Sequence, residues 1–164
     1  MDDDAKRELQ SLLAAHKARL VEGQNREAQK KAEQRAFVDG FRSLKAEKIR
    51  PVLEEFVAQL TEHGHTASIV DQEESASGRF TPASIGLRVV PARMGDAPPG
   101  HSNIVRVEIT FSANQATMKV SVSSSNNANG SIGKRGEHDL SELTDAFVVS
   151  NVLRTIREAF AVAD

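Results

Sequence analysis

Apolar residues recur at helical spacing through the first 63 residues, and strong helix formers occupy most of the positions between them. An apolar residue every three or four positions is typical of an amphipathic helix. One apolar stripe covers 9–20, a second covers 37–60, and a polar interval at 23–35 separates them. The pattern predicts helix throughout this segment, which Pro51 kinks or restarts and Gly64 ends.

The two stripes share one heptad register, because Leu9 and Phe37 lie 28 residues apart, which is four whole heptads. A sustained apolar heptad repeat is typical of a coiled coil. The candidate oligomerisation residues on this register are Leu9, Leu13, His16, Leu20, Phe37, Phe41 and Leu44. Between the stripes the same seam would hold residues that make a poor coiled-coil core, namely Gly23, Glu27, Lys30 and Gln34.

Three arrangements of the N-terminal segment remain open. A continuous helix could dimerise around a weak polar centre, or a helical hairpin could turn at 23–25, where Gly stops one helix and Asn caps the next. The third arrangement is a loosely attached arm. In each case we predict two domains, a helical arm or coiled-coil segment over 1–35 and an α+β domain over 36–164.

Beyond residue 65 the apolar period changes from helical spacing to alternation. Alternation predicts strands of a sheet with one apolar and one polar face. The predicted strands cover 66–72, 85–90, 103–111 and 116–122. Segments rich in Gly, Pro, Ser, Asn or acidic residues predict loops over 73–82, 91–102 and 124–138. The short link between the last two strands predicts an antiparallel hairpin.

A helical stripe returns over 143–162 and predicts a C-terminal helix, capped by Thr144, by Ser141, or by Asp139 together with Glu142. No helix separates consecutive strands, which argues against a parallel sheet. The predicted fold class is α+β in two layers. A long N-terminal helix or helical hairpin comes first, then a three- to four-stranded antiparallel sheet covered on one face by helices, then the C-terminal helix.

The composition narrows the classes of function. The chain has no Cys, which excludes disulfides, thiolate metal ligands and cysteine nucleophiles. The net charge of −2 gives no overall basic field for nucleic acid or an anionic membrane. The start MDDD lacks the basic and apolar regions of a secretory signal, and the apolar runs are too short to span a membrane. We therefore expect a cytoplasmic protein with no membrane segment.

The glycines of SIGKRGE (131–137) invite comparison with phosphate-binding loops. A KH loop lies between two helices, whereas this segment follows a polar run after a strand. The spacing of a P-loop is not met either. We therefore predict a surface loop between a strand and a helix, in which Lys134 and Arg135 could contact an anion.

No catalytic constellation is visible in the sequence. His63 and His65 lie next to Glu62, but a zinc site needs three or four ligands, and nothing in the sequence brings further ligands to them. The remaining candidates would be Glu137, His138 and Asp139. We therefore expect no enzyme, no metal and no cofactor, with His63 at a helix C-terminus and His65 at the start of a strand.

These patterns favour a non-enzymatic protein-interaction or adaptor module that forms a homodimer through its N-terminal helices. Its α+β domain would offer the polar sheet face to an unidentified protein partner. The candidate residues on that face are Arg88, Arg106, Glu108 and Lys119.

The alternative is a nucleic-acid-associated protein. The segment 17–50 contains ten Lys or Arg against five Asp or Glu, and a basic helix can lie against phosphates. The competing interpretation of the same residues is a solvated helix whose charges pair four positions apart.

Overall fold

A computed structural model of the protein describes residues 2–92, 105–127 and 130–163. The chain divides into two compact units, Met1–Ala36 and Phe37–Asp164. The elements in chain order are helix α1 (Asp3–Leu44), a π-helical turn (Lys45–Ile49), helix α2 (Arg50–Glu62), strands β1 (Thr66–Gln72), β2 (Ser84–Val90), β3 (Val107–Asn114), β4 (Lys119–Asn126) and β5 (Ser131–His138), a 3-10 turn (Leu140–Glu142) and helix α3 (Asp145–Ala163).

Helix α1 is continuous through Gly23, so the hairpin alternative is wrong. Good helix formers flank the glycine on both sides, and the ion pair between Arg26 and Glu22, four positions apart, spans it at 2.5 Å. A single glycine costs a helix about 1 kcal/mol relative to Ala, which the surrounding residues can offset. Within the first unit the chain is therefore one continuous helix over 3–36.

A π-helical turn separates α1 from α2 because of Pro51. Proline has no N–H group, and in a regular helix its ring clashes with the carbonyl four residues earlier, here that of Glu47. The wider turn relieves this clash, and the N–H group of Arg50 donates to the carbonyl of Lys45, five positions back. Pro51 then lies in the first turn of α2, where no donor is needed.

Helix α2 ends as the sequence predicts, at Gly64. The backbone of Gly64 is left-handed, with φ of 85°. Its N–H group donates to the carbonyl of Thr61, and that of His65 donates to the carbonyl of Leu60, at 3.0 and 2.9 Å. This double hydrogen bond is the Schellman motif, and it turns the chain directly into β1.

The five strands form one antiparallel sheet in the order β1-β2-β3-β4-β5. The predicted number of three or four strands is therefore wrong, because β5 lies within the segment 124–138 for which the sequence predicts a loop. The α+β class, the antiparallel pairing, the long N-terminal helix and the C-terminal helix are all confirmed.

The core lies on one face of the sheet, as the alternation predicts. Ile85, Leu87 and Val89 of β2 are buried there with the inward residues of β3 and β4. The helices add Ile49, Leu53, Val148 and Val152 to the same cluster. Sheet and helices therefore form the two predicted layers of the Phe37–Asp164 unit.

Two predicted strand boundaries are shifted. β3 begins at Val107 and not at 103; residues 93–104, which include most of the predicted 91–102 loop, lie outside the described residues. β4 begins at Lys119, because Met118 takes a left-handed conformation with φ of 52° in the hairpin turn.

Two of the three caps predicted for α3 are observed, in different elements. Thr144 Oγ1 accepts the N–H group of Phe147 at the start of α3, and Asp139 and Glu142 form a capping box at the preceding 3-10 turn. Among the described residues, no helix is long and apolar enough to cross a membrane.

Candidate functional site

The apolar stripe of the first unit is exposed. Leu9, Leu13 and Leu20 keep 44%, 59% and 54% of their surface accessible, and His16 of the same stripe is exposed as well. Helix α1 has no buried residue before Phe37 in the part of the chain that the structure describes. Single exposed leucines are ordinary, but a row of them at heptad spacing is a surface that another helix can cover.

The other three candidate oligomerisation residues do not belong to that surface. Phe37 is 7% exposed and Phe41 is fully buried, both in the hydrophobic core, and Leu44 packs against the same core. Their heptad phase with the leucines reflects one continuous helix, and the end of that helix is buried in the core of the Phe37–Asp164 unit. The predicted seam is therefore shortened, and Leu9, Leu13, His16 and Leu20 remain as its candidates.

The basic part of α1 carries charge pairs four positions apart, as the solvated-helix interpretation expects. Lys31 lies 3.9 Å from Glu27, and Arg26 pairs with Glu22. Further along the chain, three more cations of 17–50 contact carboxylates: Arg42, Lys45 and Arg50. These pairs reduce the positive field that a nucleic acid would meet.

The four candidates on the polar face of the sheet are only partly brought together. Arg88 and Glu108 are register partners on β2 and β3, and Arg88 Nε donates to Glu108 Oε2 at 3.0 Å. Lys119 lies opposite Asn114, at the other end of the β3–β4 hairpin, 3.9 Å from an oxygen of Asp139. Arg106 precedes β3.

Between these charges the polar face consists mainly of hydroxyl side chains. β3 and β4 align Thr110 with Ser123 and Ser112 with Ser121, all half-buried. Short hydroxyl groups can donate and accept hydrogen bonds without protruding from the sheet. The outer face of β3 and β4 is thus polar, and the ion pair Arg88–Glu108 joins β2 to β3.

The segment SIGKRGE is a strand, so the predicted loop is wrong. Arg135 points to the helical layer and its side chain is only 7% exposed. Its guanidinium donates to the carbonyl of Asn151, to Thr155 Oγ1 and to Glu158 Oε2, at 3.0, 2.8 and 3.0 Å. Burial lowers the pKa of Arg135, and the neighbouring Glu158 opposes that shift.

Arg135 is therefore engaged by α3, and of the two proposed anion contacts only Lys134 is exposed. A glycine of the segment allows an irregularity in the pairing of β4 with β5. Gly136 takes φ of 95° next to a register shift between Ser121 and Ser123 on β4. A left-handed glycine at such an irregularity is the usual signature of a β-bulge.

The histidines have separate surroundings. His63 Nδ1 lies 2.8 Å from the carbonyl of Gln59 at the end of α2, while His65 Nδ1 accepts the N–H group of Ala92 at 3.0 Å. His65 also contacts the Phe160 ring, with centroids 5.0 Å apart. Within 2–92, 105–127 and 130–163, no three His, Asp or Glu side chains are grouped so that they could hold a metal ion.

An ion-pair network at the π-helical turn was not predicted. Lys45 has a side chain only 6% exposed, and its Nζ lies 2.6 Å from Asp71 Oδ1 and 2.9 Å from Glu73 Oε1. Arg50 binds the other oxygen of Asp71, and Arg42 lies 3.6 Å from Glu73. The nearest signal in the sequence was Pro51, which predicts a local break in the helix but not the partners of its lysine.

The network sets the ionisation of Asp71. Burial by itself raises the pKa of this carboxyl group, but the hydrogen bonds and charges of Lys45 and Arg50 outweigh burial. The net result is a pKa below the usual value of 3.8. The network therefore ties the π-helical turn to the end of β1, and it favours the charged form of Asp71.

An open groove lies between α2 and the edge strand β1. It has a volume of about 520 Å3. Its lining is mostly apolar and consists of Glu54, Val57, Ala58, Thr61 and Glu62 of α2 and Ile69 of β1.

Comparison with protein-family models, with curated proteins and with solved structures yields no match to the chain. The function therefore has to be argued from the surfaces described above.

Proposed function

We propose that the protein is a non-enzymatic interaction module that self-associates through the exposed stripe Leu9, Leu13, His16 and Leu20 of α1. The outer face of the sheet, with the Arg88–Glu108 pair, is the candidate surface for a protein partner. The single observation that carries the proposal is the helix itself: α1 keeps a row of leucines in solvent with no element of its own unit against it.

The physical argument concerns the stability of an isolated helix. Most helical stability in proteins comes from burial of an apolar face and not from intrinsic propensity. Covering one leucine side chain contributes roughly 1.5–3 kcal/mol relative to exposure. Three leucines at heptad spacing on each of two helices supply the burial that α1 lacks within its own unit, and a second copy brings the same row.

The test is the molar mass of the full chain by light scattering after size exclusion, over a range of concentrations. Leu9→Glu with Leu13→Glu places two charges in the seam. The matched control, Ala14→Glu with Ala18→Glu, adds the same charges on the same exposed helix but away from the seam.

We expect twice the monomer mass for the wild type and for the control, and the monomer mass for the leucine variant. A monomeric wild type at high concentration would refute self-association. Equal masses for the two variants would show that the association uses another surface.

A further inference from the structure

We infer that the second copy of α1 lies antiparallel, with Leu9 of one copy against Leu20 of the other and Leu13 against His16. This inference rests on the proposed self-association. In this register the numbers of facing residues add to 29, so the helices overlap over 3–26.

The antiparallel register brings the apolar residues of the heptad stripe into four central layers. Leu9 faces Leu20 of the second copy and Leu13 faces His16 of the second copy, and the two-fold symmetry repeats both layers. The next layer outward pairs Lys6 with Gly23 of the second copy, where the missing side chain leaves room for the lysine stem to extend along the partner helix toward water. All exposed leucines of the heptad stripe are covered, and no acid faces an acid in these layers.

The parallel arrangement continues the seam into charged residues. In a parallel pair each residue of the seam faces its own copy, so Glu27 would face Glu27 and Lys30 would face Lys30 of the second copy. Arg26 and Lys31 flank this part of the seam and would approach each other across the pair. Like charges held at short distance destabilise a helix pair, and two successive core layers would carry them.

The antiparallel overlap leaves those charges in water. Glu27 of one copy faces Asp2 of the other, which precedes the first residue of the partner helix, so this acidic pair lies at the exposed end of the overlap. Position 30 extends beyond the end of the partner helix. Glu27 keeps its ion pair with Lys31 on the same helix, at 3.9 Å. The antiparallel register therefore keeps its facing like charges at the exposed ends of the pair, whereas the parallel one places them in two successive layers of the seam.

The absence of cysteine allows the orientation to be measured directly, because one introduced cysteine gives one spin label per copy. The probe is Ala32→Cys carrying a nitroxide, examined by double electron–electron resonance in the full chain. Ser11→Cys is the matched control. Both positions are exposed on α1 and lie away from the seam.

In the antiparallel register the two labels at position 32 are 35 residues apart along the axis, which at 1.5 Å per residue is about 52 Å. The labels at position 11 are 7 residues apart, about 10 Å along the axis. In a parallel pair both positions give short distances, set by the helix diameters of about 10–12 Å and the label arms.

A long distance at position 32 with a short one at position 11 supports the inference. Short distances at both positions would overturn the antiparallel orientation and leave the self-association standing. No dipolar signal at either position would overturn the self-association itself.

Discussion

Arg135 has a structural role that its local sequence does not indicate. In the sequence it is a cation between glycines and fits an anion-binding loop. In the fold it is the inward residue of an edge strand, and its three hydrogen bonds end on α3. Its neighbour Lys134 faces the polar side, opposite Ser123. Two adjacent cations thus have different roles, because a strand sends successive side chains to opposite faces.

We predict that Arg135→Ala lowers the free energy of unfolding by about 2 kcal/mol, since hydrogen bonds to charged groups contribute about 1.5–3 kcal/mol. Lys134→Ala, one position away on the solvent side, should change it by about 0.5 kcal/mol or less. Urea unfolding followed by circular dichroism measures both. Equal effects of the two substitutions would contradict the structural role of Arg135.

At the scale of elements, the sequence predicts those whose stability comes from apolar burial. β1, β2, α3 and the long N-terminal helix follow from periodicity, and the structure confirms them within a few residues. The sequence does not predict β5 or the end of β4, and the reason is physical. Their core-side positions are Ser124, Asn126, Gly133 and Arg135, which are polar or lack a side chain and so give no apolar alternation.

The candidate site was predictable only in part for a related reason. The heptad spacing identifies Leu9 and Leu20 as a seam, but spacing alone does not say which helix face the same chain covers. Phe37 and Phe41 share the register and are nevertheless core residues. The network around Lys45 depends on contacts 26 and 28 positions apart along the chain, which no local pattern contains.

The β2–β3 pair has a close approach that only glycine allows. A Cβ atom on Gly86 would lie 2.3 Å from the carbonyl oxygen of Ile109, which is backbone and cannot move aside alone. We predict that Gly86→Ala lowers the free energy of unfolding by about 2 kcal/mol or more, because the strands must separate. Thermal and urea unfolding check this.

The matched control for Gly86 is Gly133→Ala on β5. A Cβ atom there would meet only Ser124 Oγ, at 3.8 Å, which is ordinary van der Waals contact. We expect little change in stability from this substitution. A comparable loss in both variants would show that glycine's backbone freedom, and not the close approach, matters in this sheet.

At the scale of the whole molecule, the two units differ in what stabilises them. The Phe37–Asp164 unit has a continuous core, to which the part-buried ion pairs of Lys45 are added. The Met1–Ala36 unit has no buried residue among those described, and charge pairs four positions apart lie along its helix. Acid should therefore act chiefly on the second unit, through the network of Lys45 and Asp71.

The pKa of Asp71 is lower in the fold than its usual value, so its contribution to stability is present above pH 3.8 and is lost as the pH falls through the lowered pKa. We predict that the free energy of unfolding of the wild type falls between about pH 5 and pH 2. In Asp71→Asn that fall should be smaller, and the variant should already be less stable at neutral pH.

Urea unfolding at a series of pH values measures the difference. Glu55→Gln, an exposed carboxylate of α2 outside the network, serves as the comparison. If the acid dependence of Asp71→Asn matched that of the wild type, the network would not be the source of the acid sensitivity.

The π-helical turn allows an unusual spacing of the buried residues along the two helices that it joins. The buried residues Phe41, Lys45, Ile49 and Leu53 follow one another at intervals of four, a spacing that drifts around a regular helix by about 40° at each step. The wider turn absorbs that drift and keeps all four on one side. The chain thus has one residue more than a regular helix would need to place these four residues on one face. A helix that accommodates a single-residue insertion without forming a loop has the same geometry.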